Sequence, residues 1–119
     1  MRIRTFPLVC IFLIAFFIVH PVDIVQPADG NWLVENMKDY EKWDTGDIIA
    51  NKINAGTYYG YVLAIAHILY YENILDHYID SRQDLAVVTK YLKAHHERWS
   101  EYAYILVIDA LKESFPKKQ

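Results

Sequence analysis

Seventeen consecutive residues, Ala55 to Tyr71, carry no charge. On a helix their apolar groups cover nearly the whole circumference, which suits either a central helix wrapped by others or a membrane span. Gly56, Gly60 and Ala64 are spaced four apart and fall on one stripe, where a short side chain lets a neighbouring helix come close. His67 lies on the same side. The segment is at the lower edge of spanning length, and Gly56-x-x-x-Gly60 has the spacing of a membrane helix-pairing motif. Against a span, it holds five Tyr and a His, and three amphipathic segments elsewhere need an apolar surface to cover. The expectation is a hub inside a small helical domain.

Those three segments follow from spacing and caps. Asp29, Gly30 and Asn31 supply turn and N-cap chemistry for a helix over Trp32 to Asp44, with Leu33, Met37 and Tyr40 on one face and Trp43 nearby. Thr45 and Gly46 break it. Asp47 can cap the hub helix, expected from Ile48 to Leu75 with a bend near Asn54 to Gly56. Ser81-Arg82-Gln83-Asp84 reads as a capping-box variant opening a third helix, Ser81 to Ala94, whose stripe is Leu85, Val88 and Leu92, widened by Val87 and Tyr91. A fourth, Glu101 to Ser114, with Ser100 as a possible cap, places Ala103, Leu106, Val107, Ala110 and Leu111 at helical spacing. Pro116 stops it, and Lys117 and Lys118 favour its negative end. No run alternates with period two. The fold class expected is all-α, a small bundle of about four helices around one central apolar helix.

The beginning of the chain is of another kind. Arg2 and Arg4 precede an apolar run, Phe6 to Val19, that holds four of the five Phe residues. Fourteen residues at about 1.5 Å each give roughly 21 Å, short of the roughly 30 Å of a bilayer core. A basic end before a short apolar run is the pattern of a secretory signal peptide. Residues 1–28 are therefore read as signal peptide and short linker, and 29–119 as one helical domain in the periplasm. An uncleaved anchor, the one membrane contact expected, is the alternative.

The only cysteine, Cys10, falls inside the apolar run, so the exported part has none and must hold together by packing. The chain has fifteen Asp and Glu against twelve Lys and Arg; setting aside Arg2, Arg4 and Asp23 leaves fourteen against ten, a net charge of minus four. A nucleic-acid partner, which needs a basic patch, is not expected. A domain of about ninety residues has a marginal core, so a second subunit or a protein ligand would help. All ten Tyr and three Trp lie there, suited either to an interface or to filling the core.

Chemistry-bearing constellations are sparse. His67 and His77 are ten apart and His95 and His96 adjacent, without the i, i+4 pair of helical metal sites, so no metal or other cofactor is expected and His67 reads as bonded to a Tyr or a backbone carbonyl. Asp76, Asp80, Asp84, Glu97 and Glu101 fall at expected helix ends, where acids cap free N–H groups. No G-x-S-x-G or phosphate loop occurs, and no catalytic residue is assigned: the chain reads as a binding protein rather than an enzyme.

Three segments carry a resemblance. Gly60-Tyr61-Val62 in the hub, Tyr91-Leu92-Lys93-Ala94-His95 closing the third helix and Ala110-Leu111-Lys112-Glu113-Ser114-Phe115-Pro116 closing the last resemble, in order and spacing, the Rap/Tai immunity proteins of bacterial type VI secretion. The match spans Asn54 to Pro116. It departs at Tyr58 and Lys117, where the family commonly has Cys, and at His96, where it often has Pro, as in a cysteine-less, diverged branch. The resemblance implies a periplasmic toxin inhibitor, often a homodimer, that blocks a secreted effector enzyme such as a peptidoglycan amidase. With Gly56, the residues Gly60, Tyr61, Leu92, Ala110, Leu111, Phe115 and Pro116 would be its scaffold.

Loops between helices are natural probes for an enzyme cleft. Asp76, His77, Tyr78 and Asp80 in one junction and His95, His96, Arg98 and Trp99 in the next are the candidate partner-binding residues, Arg and Trp being common interface anchors. The alternative is a periplasmic structural or chaperone-like helical protein without one tight partner.

Overall fold

Residues 27–76 and 80–117 are described by a computed structural model. The expected signal peptide lies outside them except for its last two positions. Ala28, assigned to the linker, already packs against the core. Four helices follow: α1 (Gly30–Asp44), α2 (Lys52–Tyr71), α3 (Ser81–Ala94) and α4 (Ala103–Ser114), with a 3₁₀ turn at His96–Arg98. The protein is an all-α bundle, with no strand among the described residues.

Each helix end has an identifiable cause. The Asp29 carboxylate accepts from the Trp32 amide at 2.9 Å, so α1 begins two residues before the expected Trp32. It stops where the Thr45 hydroxyl donates back to the carbonyls of Glu41 and Lys42 and Gly46 turns at φ +82°. The hub helix is shorter than expected at both ends. Asn51, rather than Asp47, is its cap, accepting from the amides of Ile53 and Asn54, while Asp47 accepts from Ile49 in a separate turn. Asn73, in the left-handed region at φ 55°, ends it.

The bounds of α3 match expectation, but its cap differs. Asp80 accepts from the Arg82 and Gln83 amides at 3.1 and 3.2 Å, in place of the Ser81 box, and Asp84 is buried rather than reaching back over the helix end. No side chain caps α4. Instead of Ser100, the carbonyl of Ala28 takes the first helical amide, Ala103, at 2.9 Å. Lys117 donates to the Asn73 carbonyl at 2.8 Å, placing its charge at the C-terminal end of α2 and not of α4.

Every helix touches every other, and α1 against α2 is the most extensive pairing. These two run antiparallel: Trp32 meets Tyr61 edge to face at 5.3 Å between ring centroids, Tyr40 meets Tyr58 at 5.3 Å, and Asp39 accepts from Asn54 Nδ2 at 2.8 Å. The core takes Leu33, Val34 and Met37 from α1, Leu85, Val88 and Leu92 from α3, and the whole expected stripe Ala103, Leu106, Val107, Ala110 and Leu111 from α4. Burying each large apolar side chain contributes about 1.5–3 kcal/mol.

The hub contributes Ala55, Tyr58, Val62, Ala66 and Leu69. Its small-residue stripe does not do what its spacing suggested. Gly56, Gly60 and Ala64 are exposed, and a Cβ placed on either glycine meets nothing within 4 Å. Among the described residues no helix approaches there, because α2 turns the face of Tyr58, Val62 and Leu69 inward. Among the described residues no helix is long and apolar enough to cross a membrane.

Candidate functional site

Two junctions flank α3, and they lie at its opposite ends, about 20 Å apart at 1.5 Å per residue. At the first, Asp76 is exposed and Asp80 is the α3 cap; His77 and Tyr78 lie outside the described residues. The Asp76–Asp80 and His95–Trp99 groups therefore do not form one site.

The second junction is a rigid turn. His95 closes α3 and the 3₁₀ turn carries the chain to Arg98, whose guanidinium forks onto Glu101 (Nε to Oε2 2.5 Å, Nη2 to Oε1 3.0 Å), reaches Asp109 Oδ2 at 2.7 Å and donates to the Tyr91 hydroxyl. These bonds hold the Glu101 carboxyl below the usual carboxylate range and push the guanidinium up. Burial raises the Tyr91 phenol in spite of Arg98. Trp99 is half-buried, its indole N–H donating to the Leu92 carbonyl at 2.9 Å.

Both expected anchors are thus engaged within the chain. What faces outward is His96, Glu97 and Ser100, with His95 half-buried against the Tyr91 ring at 4.1 Å and its Nδ1 3.2 Å from Glu97. The Glu97 carboxyl is held low by a backbone hydrogen bond and by His95. His96 packs on Trp99 at 4.7 Å. The turn is also tied to the start of the domain: Gly30 donates to Glu101 and Asn31 to Trp99, both at 2.9 Å.

Two further surfaces escaped the sequence reading. Ile48, Ile49 and Ile53 are 93%, 80% and 80% exposed where α1 passes to α2. Beside them Trp43, Lys52, Ala55, Gly56 and Tyr59 enclose a mostly apolar socket of about 270 Å³. The available signal was a pair of Ile between the turn residues Thr45-Gly46 and the cap Asn51. A wider groove of about 420 Å³ sets Glu41 and Asp44 of α1 against Arg82, Lys90 and Lys93 of α3, and the Lys93–Glu41 ion pair bridges it.

His67 donates from Nδ1 to the Leu63 carbonyl of its own helix (2.7 Å), and its ring lies exposed near that of Tyr71. Among the described residues no three His, Cys, Asp or Glu side chains converge as they would around a metal ion. The arrangement offers preorganised contact surfaces. No family model, curated protein or solved structure matches this chain.

Proposed function

We propose that this chain is an exported immunity protein that binds and inhibits a type VI secretion effector in the periplasm, a peptidoglycan amidase being the class implied by the resemblance. The observation that carries the reading is the convergence of the three motif segments. Val62 of α2, Leu92 of α3, and Ala110 and Leu111 of α4 are each at most 1% exposed and belong to one core. Tyr61, Tyr91 and Phe115 pack around them. Separated segments that meet in one core are what a shared scaffold requires.

An inhibitor needs a shaped surface that loses little entropy on binding. The His95–Ser100 turn suits that role, because Arg98 fixes it from within while His96, Glu97 and Ser100 stay free to touch a partner. The reaction of the effector is blocked by occupancy, with no bond made or broken by this chain.

The experiment is co-expression with the effector encoded by the adjacent gene, directed to the periplasm, alongside calorimetric titration of the purified pair. Protection of the cells and one tight stoichiometric complex are expected, weakened by Glu97→Arg. No protection against a periplasmic effector, or weak capture of many unrelated clients, would replace this reading with the chaperone-like one.

A further inference from the structure

We infer that the tip of the α1–α2 hairpin docks on a phospholipid bilayer, inserting Ile48, Ile49 and Ile53 among the lipid chains. This contact stands apart from the immunity reading and from the leader: it is reversible and belongs to the folded domain.

Shape and area point to lipid. The turn between the antiparallel helices α1 and α2 lies at one end of the hairpin, and Ile48 and Ile49 on it are 93% and 80% exposed, with Ile53 80% exposed in the first turn of α2. Side chains this bare make a knob rather than a pocket. At roughly 30 Å² per carbon the three offer roughly 300 Å² of apolar surface, about what a ten-carbon stretch of acyl chain buries. That is the size of a functional patch, yet well under half of the roughly 800 Å² each partner buries in a standard protein interface. A protein partner would have to cover the charged flanks as well. A fluid bilayer asks for no complementary shape, so it accepts a small convex knob as it is.

The depth of the aromatic residues behind the knob agrees. Trp43, one residue from the end of α1, is 49% exposed, and Tyr59, six residues or roughly 9 Å of helix behind Ile53, is 40% exposed. Trp and Tyr favour the headgroup level, and an interfacial segment buries its apolar side by about 5–10 Å. With the isoleucines among the chains, both rings reach that level. The apolar socket that they help to enclose offers lipid chain ends a cleft.

Charge sets the kind of surface. Around the tip Lys42 and Lys52 balance Asp44 and Asp47, and the Asp47 carboxylate accepts from the Ile49 amide at 2.9 Å. The lysine stems can carry their ammonium groups out to the headgroups. The two carboxylates hold the entry shallow, and the balanced charge gives no attraction to an anionic leaflet. The contact is apolar in origin and suits zwitterionic lipid.

The test is flotation of the chain, as recovered from expressing cells, with phosphatidylcholine vesicles brominated in their acyl chains, read together with tryptophan quenching. The wild type should bind with an association constant on the order of 10⁴ M⁻¹, as a single acyl chain does, equally at low and high salt, with Trp43 quenched. Trp43→Phe should still bind but lose most of the quenching. Trp32 sits eleven residues back on α1, roughly 16 Å away, and Trp99 lies at that far end, its carbonyl accepting from Asn31. Ile48→Asp with Ile49→Asp should keep the helical circular dichroism and weaken binding by about tenfold or more. Should that protein fail to fold, Ile53→Asp is the second variant: a carboxylate in the first turn suits the N-terminal end of α2, and binding should again fall severalfold. No binding at about 5 mM lipid, or binding that needs anionic lipid and vanishes in salt, would overturn the inference. So would quenching that survives Trp43→Phe, as a retained leader, joined to the chain near Trp32, would give. Tip variants that bind vesicles normally would overturn it too, as would a wild type of two-chain light-scattering mass that drops to one chain in the tip variants. Vesicle binding as described, without protection from any effector, would count against the immunity reading alone.

Discussion

Gly30 lies against the backbone of Trp99: a Cβ at Gly30 would stand 2.7 Å from both the Cα and the carbonyl oxygen of Trp99, and 2.6 Å from Leu106 Cδ1. Backbone atoms cannot rotate away as a side-chain tip can. Gly30→Ala therefore forces α1 from the final turn, and a loss of about 1–3 kcal/mol is expected from overpacking. Chemical denaturation of the variant checks it; unchanged stability would mean that the two segments are not in register.

Tyr58 is fully buried at the α1–α2–α3 junction, its hydroxyl 2.8 Å from Thr89 Oγ1. Burial pushes its phenol well above the usual range. Tyr58→Phe should cost about 1 kcal/mol, because it leaves the Thr89 hydroxyl without this partner, and Tyr58→Ala about 3–5 kcal/mol through the cavity. Adding Thr89→Val to Tyr58→Phe should recover part of the smaller loss. A denaturation double-mutant cycle measures the coupling.

Arg98 acts as a fork rather than a point charge. Arg98→Met should lower Tm by a few degrees, and Arg98→Lys should restore only part of that, since an ammonium cannot engage Glu101 with two parallel bonds while reaching Asp109 and Tyr91. A local readout separates this from general loosening. Hydrogen exchange of the Gly30 and Asn31 amides, which the turn's carbonyls accept, should quicken more than that of the α2 core.

Acid should destabilise the fold through four carboxylates. Asp29 is lowered chiefly by the Trp32 amide, Asp39 by Asn54 and then Asn51, Glu97 by a backbone hydrogen bond and then His95, and Glu101 by Arg98. A carboxyl with a depressed folded pKa contributes stability above its unfolded value, near 4, and loses it as pH falls through the folded value. Tm should thus hold from neutrality down to about pH 5 and decline below about pH 4. Asp39→Asn with Glu101→Gln should flatten the decline.

The helices and their buried stripes could be read from the sequence because α1, α3 and α4 are two-sided. Leu85, Val88 and Leu92, and the five α4 positions from Ala103 to Leu111, announce an inner face by spacing alone. The hub does not. Apolar on all sides, it gives periodicity nothing to choose between, and which half turned inward was decided by the fit of Tyr58 and Val62 against α1 and α3. Asp29 caps α1 as expected, but the other caps differ: Asn51 replaced Asp47, which lies four residues earlier, Asp80 outcompeted Ser81, and a carbonyl from residue 28 served α4 in place of any nearby hydroxyl. A cap supplied across the whole chain leaves no local trace. The His95–Ser100 segment does lie between α3 and α4, but the engagement of Arg98 depends on Asp109, eleven residues on, and on Tyr91, seven residues back.

The Ala28–Ala103 amide bond and the Gly30–Trp99 contact join the two extremities of the domain. A polypeptide emerging amino end first, from a ribosome or through a narrow pore, carries Ala28 and Gly30 out long before their counterparts exist. Until residue 103 has followed, α1 lacks the surface that seats its first turn, and such long-separation closure is slow and late. The first turn of α1 is consequently seated only after residues 99–106 have been made.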